Sequence, residues 1–420
     1  LACSSDISKI YEQYPDGRTF SFDDETTDSP GAYAEKYREI IHDAGQGLTQ
    51  GVIEVGGTEM ITIRGVHQPA ADMILDKGES TTTPILSPSV YMRQVTAQQY
   101  SLESLTSPTT LYLQSDILPW VLSLKEAPKY FSNLLWRLNF IEDKDTVSHA
   151  ILPFEDELSL KYARFGSHKN GYGGTYYLAE EHPELLQESL NPVVPCENTL
   201  KLPLSRIHEI SLSDAMHNRR SSRDHSTPPA ALEDILTLLS LSAQGNPSGT
   251  GVRNEPLYRF PYPSGGSLGE LRFLVITNRV TLNGDELGKN CFEYQPLSNT
   301  TYKHRVGEKA LSKLIKLYSN MPGIPPEELQ CLIIVLADAA KVAAKYESVA
   351  PALIYKHVGA WMQTAYLTAL QLPLSVCSLG GGPTDVMQRL FWFEDSPLVP
   401  VGEMVCARRT DNVSNSGHNL

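Results

Sequence analysis

At 420 residues the chain exceeds one ordinary domain, so two domains, or one large and one small, are expected. It is 41% hydrophobic and 20% charged, the composition of a soluble globular protein. Its 35 basic and 49 acidic residues leave a net charge of −14, which argues against a nucleic-acid binder, and no apolar run approaches the roughly 18 residues of a membrane span. Cys3, Cys196, Cys291, Cys331, Cys377 and Cys406 form no CxxC pair and have no histidine at metal spacing. They are expected to be reduced thiols of a cytoplasmic protein, with no metal site. Leu1-Ala2-Cys3 echoes the end of a lipoprotein signal without the apolar and basic stretches of one, and is expected to be coincidental.

Residues 1 to about 85 are polar and weakly periodic, broken by Asp28-Ser29-Pro30-Gly31 and by a Ser/Thr stretch at 80–83. Alternation at 60–64 predicts a strand. Between 116 and 141 the period turns helical, with Leu118, Val121 and Leu122 on one short face and Phe131, Leu134, Leu135 and Leu138 on a second. Another helix follows Pro153. Small helices with strand pairs resemble a winged-helix or peptide-clamp module. Gly-rich 166–174 and Pro-rich 192–203 predict loop and linker, dividing the chain into residues 1–200 and 201–420.

Beyond this boundary, Ser213 is expected to cap a short helix running into Arg219 and Arg220. Pro228 and Pro229 introduce a helix with Leu232, Ile235, Leu236 and Leu239 on one face, ending at Gly245. A long loop at 246–262 leads to a strand at 271–277, a hairpin turn at Asn283-Gly284, and strands at 291–294 and 332–337. A helix with small residues Gly359, Ala360, Ala365 and Ala369 is expected over 355–372, then a glycine turn and a closing strand over 401–409. Mixed helices and strands in this order imply α+β.

Four short constellations carry chemistry. Arg219, Arg220, Ser221 and Arg223 cluster at a helix end, where guanidinium forks and a hydroxyl suit a phosphate; alone they equally describe a solvated basic turn. Pro263, Ser264, Gly265 and Gly266 precede a strand and allow close backbone approach to a ligand, or form an ordinary turn. Leu379, Gly380, Gly381 and Gly382 offer backbone donors or a plain loop. Arg408 and Arg409 follow a strand-like segment. No Gly-x-Gly-x-x-Gly follows a strand, so no Rossmann site is expected.

In this order, and with Gln363 on the long helix, the four resemble the nitroreductase-like flavoproteins over about residues 210–410. The resemblance implies an FMN domain built on a mixed sheet flanked by helices, with an N-terminal α+β module before it. It implies that Arg219, Arg220, Ser221 and Arg223, with Arg408 or Arg409, hold the FMN phosphate and ribityl chain. Ser264 and its neighbours would line the isoalloxazine, and the Gly380, Gly381 and Gly382 backbone would lie near flavin N5. It also implies an obligate homodimer with flavin between protomers. One departure is that Ser267 and Gly269-Glu270 stand where many nitroreductases have Asn and Gln-Pro.

That departure, together with Lys345-Tyr346, resembles the azoline dehydrogenases of the streptolysin, microcin and cyanobactin type. There a Lys-Tyr pair is implicated in catalysis, and an N-terminal module often helps grip the peptide. The implied activity is oxidation of thiazoline or oxazoline rings in a ribosomal or carrier-bound peptide, with hydride passing to the flavin and O2 as final acceptor. A cyclodehydratase or assembly-line partner is expected. Tyr346, its pKa lowered by the Lys345 ammonium, is the expected base, with the reverse assignment open; a packing Tyr and a snorkelling Lys are the bland alternative. His357 reads first as a core or interface histidine. Trp361 and Phe391-Trp392-Phe393 read first as core. An NAD(P)H-dependent nitro or quinone reductase and a flavin-free scaffold are the competing functions.

Overall fold

A computed structural model describes residues 7–13, 19–21, 50–55, 58–65, 84–107, 109–144, 152–163, 174–187, 196–383 and 398–409. The expected turns at 28–31 and 80–83, most of the 166–174 stretch, and Phe391-Trp392-Phe393 lie outside these residues. The chain forms two compact units, 1–175 and 176–420.

In the N-terminal unit the strands are β1 (Ile7–Gln13), β2 (Thr19–Ser21), β3 (Gln50–Val55), β4 (Thr58–Gly65), β5 (Pro84–Leu86), β6 (Val90–Gln94), β7 (Gln99–Ser104), β8 (Thr109–Gln114) and β9 (Ile141–Asp143). Seven of them make one antiparallel sheet in the order β2-β1-β3-β4-β8-β7-β6, while β5 pairs with β9. Helices α1 (Leu118–Leu122) and α2 (Lys129–Arg137) bring Val121, Phe131, Leu134 and Leu135 onto Ile53, Ile61, Ile63, Leu111 and Leu113. The two apolar faces seen at helical spacing therefore cover the sheet, although Leu122 itself is exposed. Helix α3 (Phe154–Tyr162) follows Pro153 as expected. The unit is α+β, with a larger sheet than the strand pairs of a winged-helix module.

The C-terminal unit holds the antiparallel sheet β10 (Cys196–Leu200), β18 (Thr300–His304), β17 (Asn290–Gln295), β14 (Leu271–Thr277), β19 (Cys331–Asp338), β21 (Leu398–Arg408) and β20 (Leu374–Leu379), in that spatial order. Its helices are α4 (Leu212–Asn218), α5 (Leu232–Ala243), α6 (Glu308–Asn320), α7 (Ala339–Tyr346) and α8 (Ala350–Ala369). Successive strand side chains point to opposite faces. Phe273, Val275, Ile333 and Val335 accordingly pack with Leu232, Ile235, Leu239, Val358 and Trp361 of α5 and α8. Their neighbours Leu274, Ile276, Leu332 and Ile334 pack with Leu311, Leu314, Ile315 and Tyr318 of α6. Both faces are covered, which is why β19 is an unbroken apolar run rather than an alternating one.

Several expectations change. β10, assigned to the linker by its neighbouring prolines, pairs with β18, and the division into units falls at 175/176 rather than near 200. The cap of α4 is Ser211, whose Oγ accepts from the Asp214 N–H at 3.1 Å, not Ser213. The 246–262 loop contains a hairpin of β12 (Asn246–Thr250) and β13 (Pro256–Arg259). Its polar, exposed first strand has no periodicity to betray it. Lys345 and Tyr346 end a helix of their own, α7, and the long helix α8 follows. Asn283 and Gly284 do turn a short hairpin of β15 (Val280–Leu282) and β16 (Asp285–Glu286), both with positive φ. Parallel to β15 runs β11 (Ala230–Ala231).

Trp361 joins the layers. It is fully buried, its ring lies 4.7 Å from that of Phe273, and its Nε1 donates to Ser242 Oγ at 3.2 Å. Trp361→Ala is expected to destabilise the C-terminal unit by about 3–5 kcal/mol, read as a lowered denaturant midpoint.

Candidate functional site

The chain leaves α4 extended, with the Ser222 N–H donating to Val376 O at the sheet edge (3.1 Å). A cavity of about 410 Å³ opens beside this segment, lined by Asn218, Arg220, Ser222, Asp224, Thr227, Tyr366 and residues of β20, with Arg408 and Arg409. Three cations thus meet from opposite ends of the unit. Asp224 faces them, but its carboxylate is engaged by the Ser226 N–H and hydroxyl, which hold its pKa down. Arg220 also closes α4, donating from Nη1 to His217 O and Arg219 O at 2.9 and 3.0 Å.

Arg219 and Ser221 are displaced from that lining. Both instead meet Tyr366, the Arg219 guanidinium 5.1 Å from the ring centroid and Ser221 Oγ 2.9 Å from the hydroxyl. The Tyr366 hydroxyl also accepts from the Ser378 N–H at 2.8 Å. Tyr366 therefore ties the arginine segment to the β20 end that leads into Leu379, Gly380, Gly381 and Gly382. Arg223 is exposed, and neither it, Gln363 nor the glycine turn lines the cavity. A Cβ at Gly382 would collide with the Glu403 carboxylate.

Gln330, which sequence reasoning passed over, aligns the two basic elements. It is wholly buried just before β19. Its Oε1 accepts from the Ala230 and Arg408 N–H groups (2.9 and 3.0 Å), and its Nε2 reaches His225 O, Thr227 O, Thr227 Oγ1 and Pro228 O (2.9 to 3.2 Å). The Gln330 N–H donates to His225 Nδ1 at 3.0 Å. Burial keeps His225 neutral, with its pKa pushed down to about 4.

A second constellation surrounds Pro263, Ser264, Gly265 and Gly266. The Gly265 N–H donates to His357 Nε2 at 2.7 Å, and His357 Nδ1 lies 2.5 Å from Glu270 Oε1. Because Nε2 accepts, the proton sits on Nδ1 and the ring is neutral. His357 is thus a buried brace for the loop. Gly266 has φ +82, and a Cβ there would lie 2.6 Å from the Tyr346 ring. Only glycine allows this contact.

Lys345, adjacent to Tyr346, turns the other way. Its Nζ donates to Glu255 Oε1 at 3.0 Å and lies 5.9 Å from the Tyr346 ring centroid. Glu255 is fully buried and also accepts from Tyr176 Oη at 2.7 Å and from the Arg253 N–H at 2.9 Å. The nearest electrostatic partner of Lys345 is therefore Glu255 rather than Tyr346. Burial alone would push the Glu255 carboxyl up, but hydrogen bonds from Tyr176, Lys345 and the backbone bring it down to about 2. Burial likewise opposes the Lys345 ammonium, yet Tyr176 and Glu255 hold its pKa above the ordinary lysine value. Ser264 Oγ in the 263–266 loop, and Ser378 Oγ and Arg409 Nε in the region of β20 and the arginine cavity, are buried with no hydrogen-bond partner among the described residues. Such atoms are uncommon in native interiors.

The Nitroreductase family profile matches residues 216–405. The C-terminal unit has the nitroreductase-like fold. Members of that family are oxidoreductases that typically bind flavin. A relative from Methanocaldococcus jannaschii, named as a candidate nitroreductase, is 25% identical over 214 residues, which are 50% of this chain and 98% of the relative. Among solved structures, a candidate nitroreductase from Anabaena variabilis is 13% identical and covers 96% of this chain and 80% of its own, at a TM-score of 0.43. The E. coli microcin synthetase McbBCD complex with truncated pro-MccB17 bound is 19% identical over 57% of this chain and 89% of its own, at 0.36. No helix among the described residues is long and apolar enough to cross a membrane.

Two measurements test the geometry. Gln330→Ala strands several buried donors and acceptors at once, and is expected to cost about 3 kcal/mol and to loosen Arg408, read by denaturant unfolding and by hydrogen exchange at the Arg408 amide. Glu255, depressed in the fold from 4.5 to about 2, contributes stability that is complete above its unfolded value and lost as pH falls through its folded one. Unfolding free energy is expected to drop by up to about 3 kcal/mol across that interval, and Glu255→Gln to flatten this acid limb.

Proposed function

We propose that this chain is an FMN-dependent dehydrogenase that oxidises thiazoline or oxazoline rings in a peptide, ribosomal or carrier-bound, to aromatic azoles. The observation that carries the reading is the seating of Tyr346 on Gly266, in a loop whose Ser264 hydroxyl has no hydrogen-bond partner among the described residues. A proton-accepting side chain and a polar, backbone-open loop then share one place.

The residues present fit FMN. Arg220, Arg408 and Arg409 form a cationic cavity suited to a phosphate, with Arg219 and Ser221 held beside it at Tyr366 and Arg223 exposed on the same segment. The unpaired Ser264 and Ser378 hydroxyls and the Gly380, Gly381 and Gly382 turn suit the polar edge of a ring system. His357, which braces the loop, and Tyr366, which braces the arginines, are nine residues apart on α8. That separation is about two and a half turns, so they lie on opposite flanks of the helix. This favours a homodimer in which the loop of one copy completes the arginine site of the other. The exposed strip with Tyr355, Gly359 and Gln363 would then face the second copy.

Bound FMN would supply the hydride acceptor and pass the electron pair on to O2. The protein's task is the other half of the oxidation. The ring Cα–H bond breaks to give its proton to Tyr346 or Lys345, its electron pair forms the new double bond, and hydride leaves the neighbouring carbon. Loss of one proton and one hydride balances the change from azoline to azole. The N-terminal unit is assigned to gripping the peptide, and a cyclodehydratase or assembly-line enzyme would supply the azoline.

A second reading, an NAD(P)H-dependent reductase of nitro compounds or quinones, is favoured by the family match. Rapid bleaching of the flavin by NADH, without turnover of a thiazoline peptide, would select it. For the dehydrogenase, mass spectrometry should show the thiazoline peptide losing about two mass units. Lys345→Ala and Tyr346→Phe should abolish that loss while the protein stays yellow. If colour disappears along with activity, the pair contacts the cofactor and does not move the proton.

A further inference from the structure

The end of α7 is held more elaborately than a helix terminus requires. Lys345 Nζ enters a buried pocket and meets Glu255 Oε1 at 3.0 Å. Tyr176 grips the same place twice: its hydroxyl donates to the same carboxylate oxygen at 2.7 Å, and its N–H donates to Lys345 O at 3.3 Å. The Lys345 Nζ lies 5.2 Å from the Tyr176 ring centroid. The other carboxylate oxygen takes the Arg253 N–H, so each Glu255 oxygen has a donor. Glu347, two residues after Lys345, acts electrostatically on Tyr177.

Two residues that bracket this arrangement sit in backbone conformations costly to anything but glycine. Tyr176 has φ 56, and Glu347, directly after the pair, has φ 53 and ψ −142. Strain of this kind survives where the surroundings over-determine it. The hydrophobic contacts of Tyr176, Ala179 and Leu186 with Leu268 and Ala344 supply that restraint.

The consequence is a division of labour within the Lys345–Tyr346 pair, and it rests on the dehydrogenase reading above. An ammonium kept charged by a buried carboxylate has no lone pair with which to accept a proton. The Tyr346 ring rests on Gly266 and packs against the Tyr176, Leu268 and Ala344 cluster, beside the Lys345 ammonium. We propose that Glu255 and Tyr176 are positioning residues that hold Lys345 as a fixed ammonium, leaving Tyr346 as the catalytic residue that takes the substrate proton. Glu255 keeps the charge on Lys345 despite burial. Lys345 in turn keeps a cation within 6 Å of the Tyr346 ring, which favours the ionised phenol.

Two experiments on the full chain decide it. In nitrogen NMR of 15N-lysine-labelled protein, with the Lys345 signal assigned by its loss in Lys345→Ala, Lys345 should keep its proton to higher pH than the exposed lysines. Glu255→Gln should bring its titration below theirs, and Tyr176→Phe, which keeps the ring, should move it the same way by less. A Lys345 that titrates with the exposed lysines, or that is unmoved by both substitutions, overturns the proposal whatever the enzyme's substrate is. In turnover of a thiazoline-containing peptide, Glu255→Gln should lower kcat on the order of tenfold to a hundredfold with little change in KM, and shift the acid limb of the pH–rate profile upward. Loss of kcat with an unshifted profile would mark Glu255 as merely structural. Absence of turnover in the wild type would reject the dehydrogenase reading and leave the NMR result to judge the Lys345 assignment.

Discussion

The C-terminal unit depends on the side-chain amide of one residue. Gln330 meets the 225–230 segment on one side and the Arg408 N–H on the other, and the next residue begins the central strand β19. The same contact therefore sets where the sheet core begins and where two basic elements almost 190 residues apart in sequence meet. A buried amide of this kind is effective only when complete, because each partner it abandons is left dry and unpaired. The carbonyl of Gln330 is also used, accepting from Asn278 and Arg279 at 3.0 and 3.2 Å. Residue 330 thus joins three separate chain segments that carry no periodic signal of their own.

Much of the frame was legible because burial writes itself into spacing. The strand at 271–277 has the bounds expected from its apolar run, and Phe131, Leu134, Leu135 and Leu138 are all wholly buried, as their helical period implied. Helix α6 was overlooked although Leu311, Leu314, Ile315 and Tyr318 follow the same rule. The β12–β13 hairpin was not readable, since its first strand is exposed throughout and contains Pro247 and Gly249. Ser213 and Ser211 are both plausible caps by residue type, and only the hydrogen bond to Asp214 separates them.

The candidate site divides along the same line. Arginines and glycines announce themselves through local runs, which is how Arg220, Arg408, Arg409 and the 263–266 loop came to notice. Tyr176, Glu255, Gln330 and Tyr366 act across long gaps: 79 residues from Tyr176 to Glu255, 90 from Glu255 to Lys345, 78 from Gln330 to Arg408 and 145 from Tyr366 to Ser221. Nothing in their immediate neighbours marks them. The sequence reads His357 first as a core or interface histidine, and it is buried; what spacing cannot reveal is that its ring nitrogen accepts from the Gly265 N–H of the 263–266 loop.

The buried Lys345–Glu255 pair is poor grounds for stability, because desolvation of two charges consumes most of what their attraction returns. An apolar pair of the same volume would hold α7 to its neighbours about as well. What the ion pair supplies and an apolar pair cannot is a fixed positive charge at one end of a helix whose last residue, Tyr346, rests on a glycine loop. Each feature there restricts a different freedom: Gly266 admits the ring, His357 fixes the loop, Glu255 fixes the ammonium, and Tyr176 fixes Glu255. A site organised for packing alone would need no polar side chain at 357, 255 or 176. One organised to set the protonation state of a single phenol needs at least the last two.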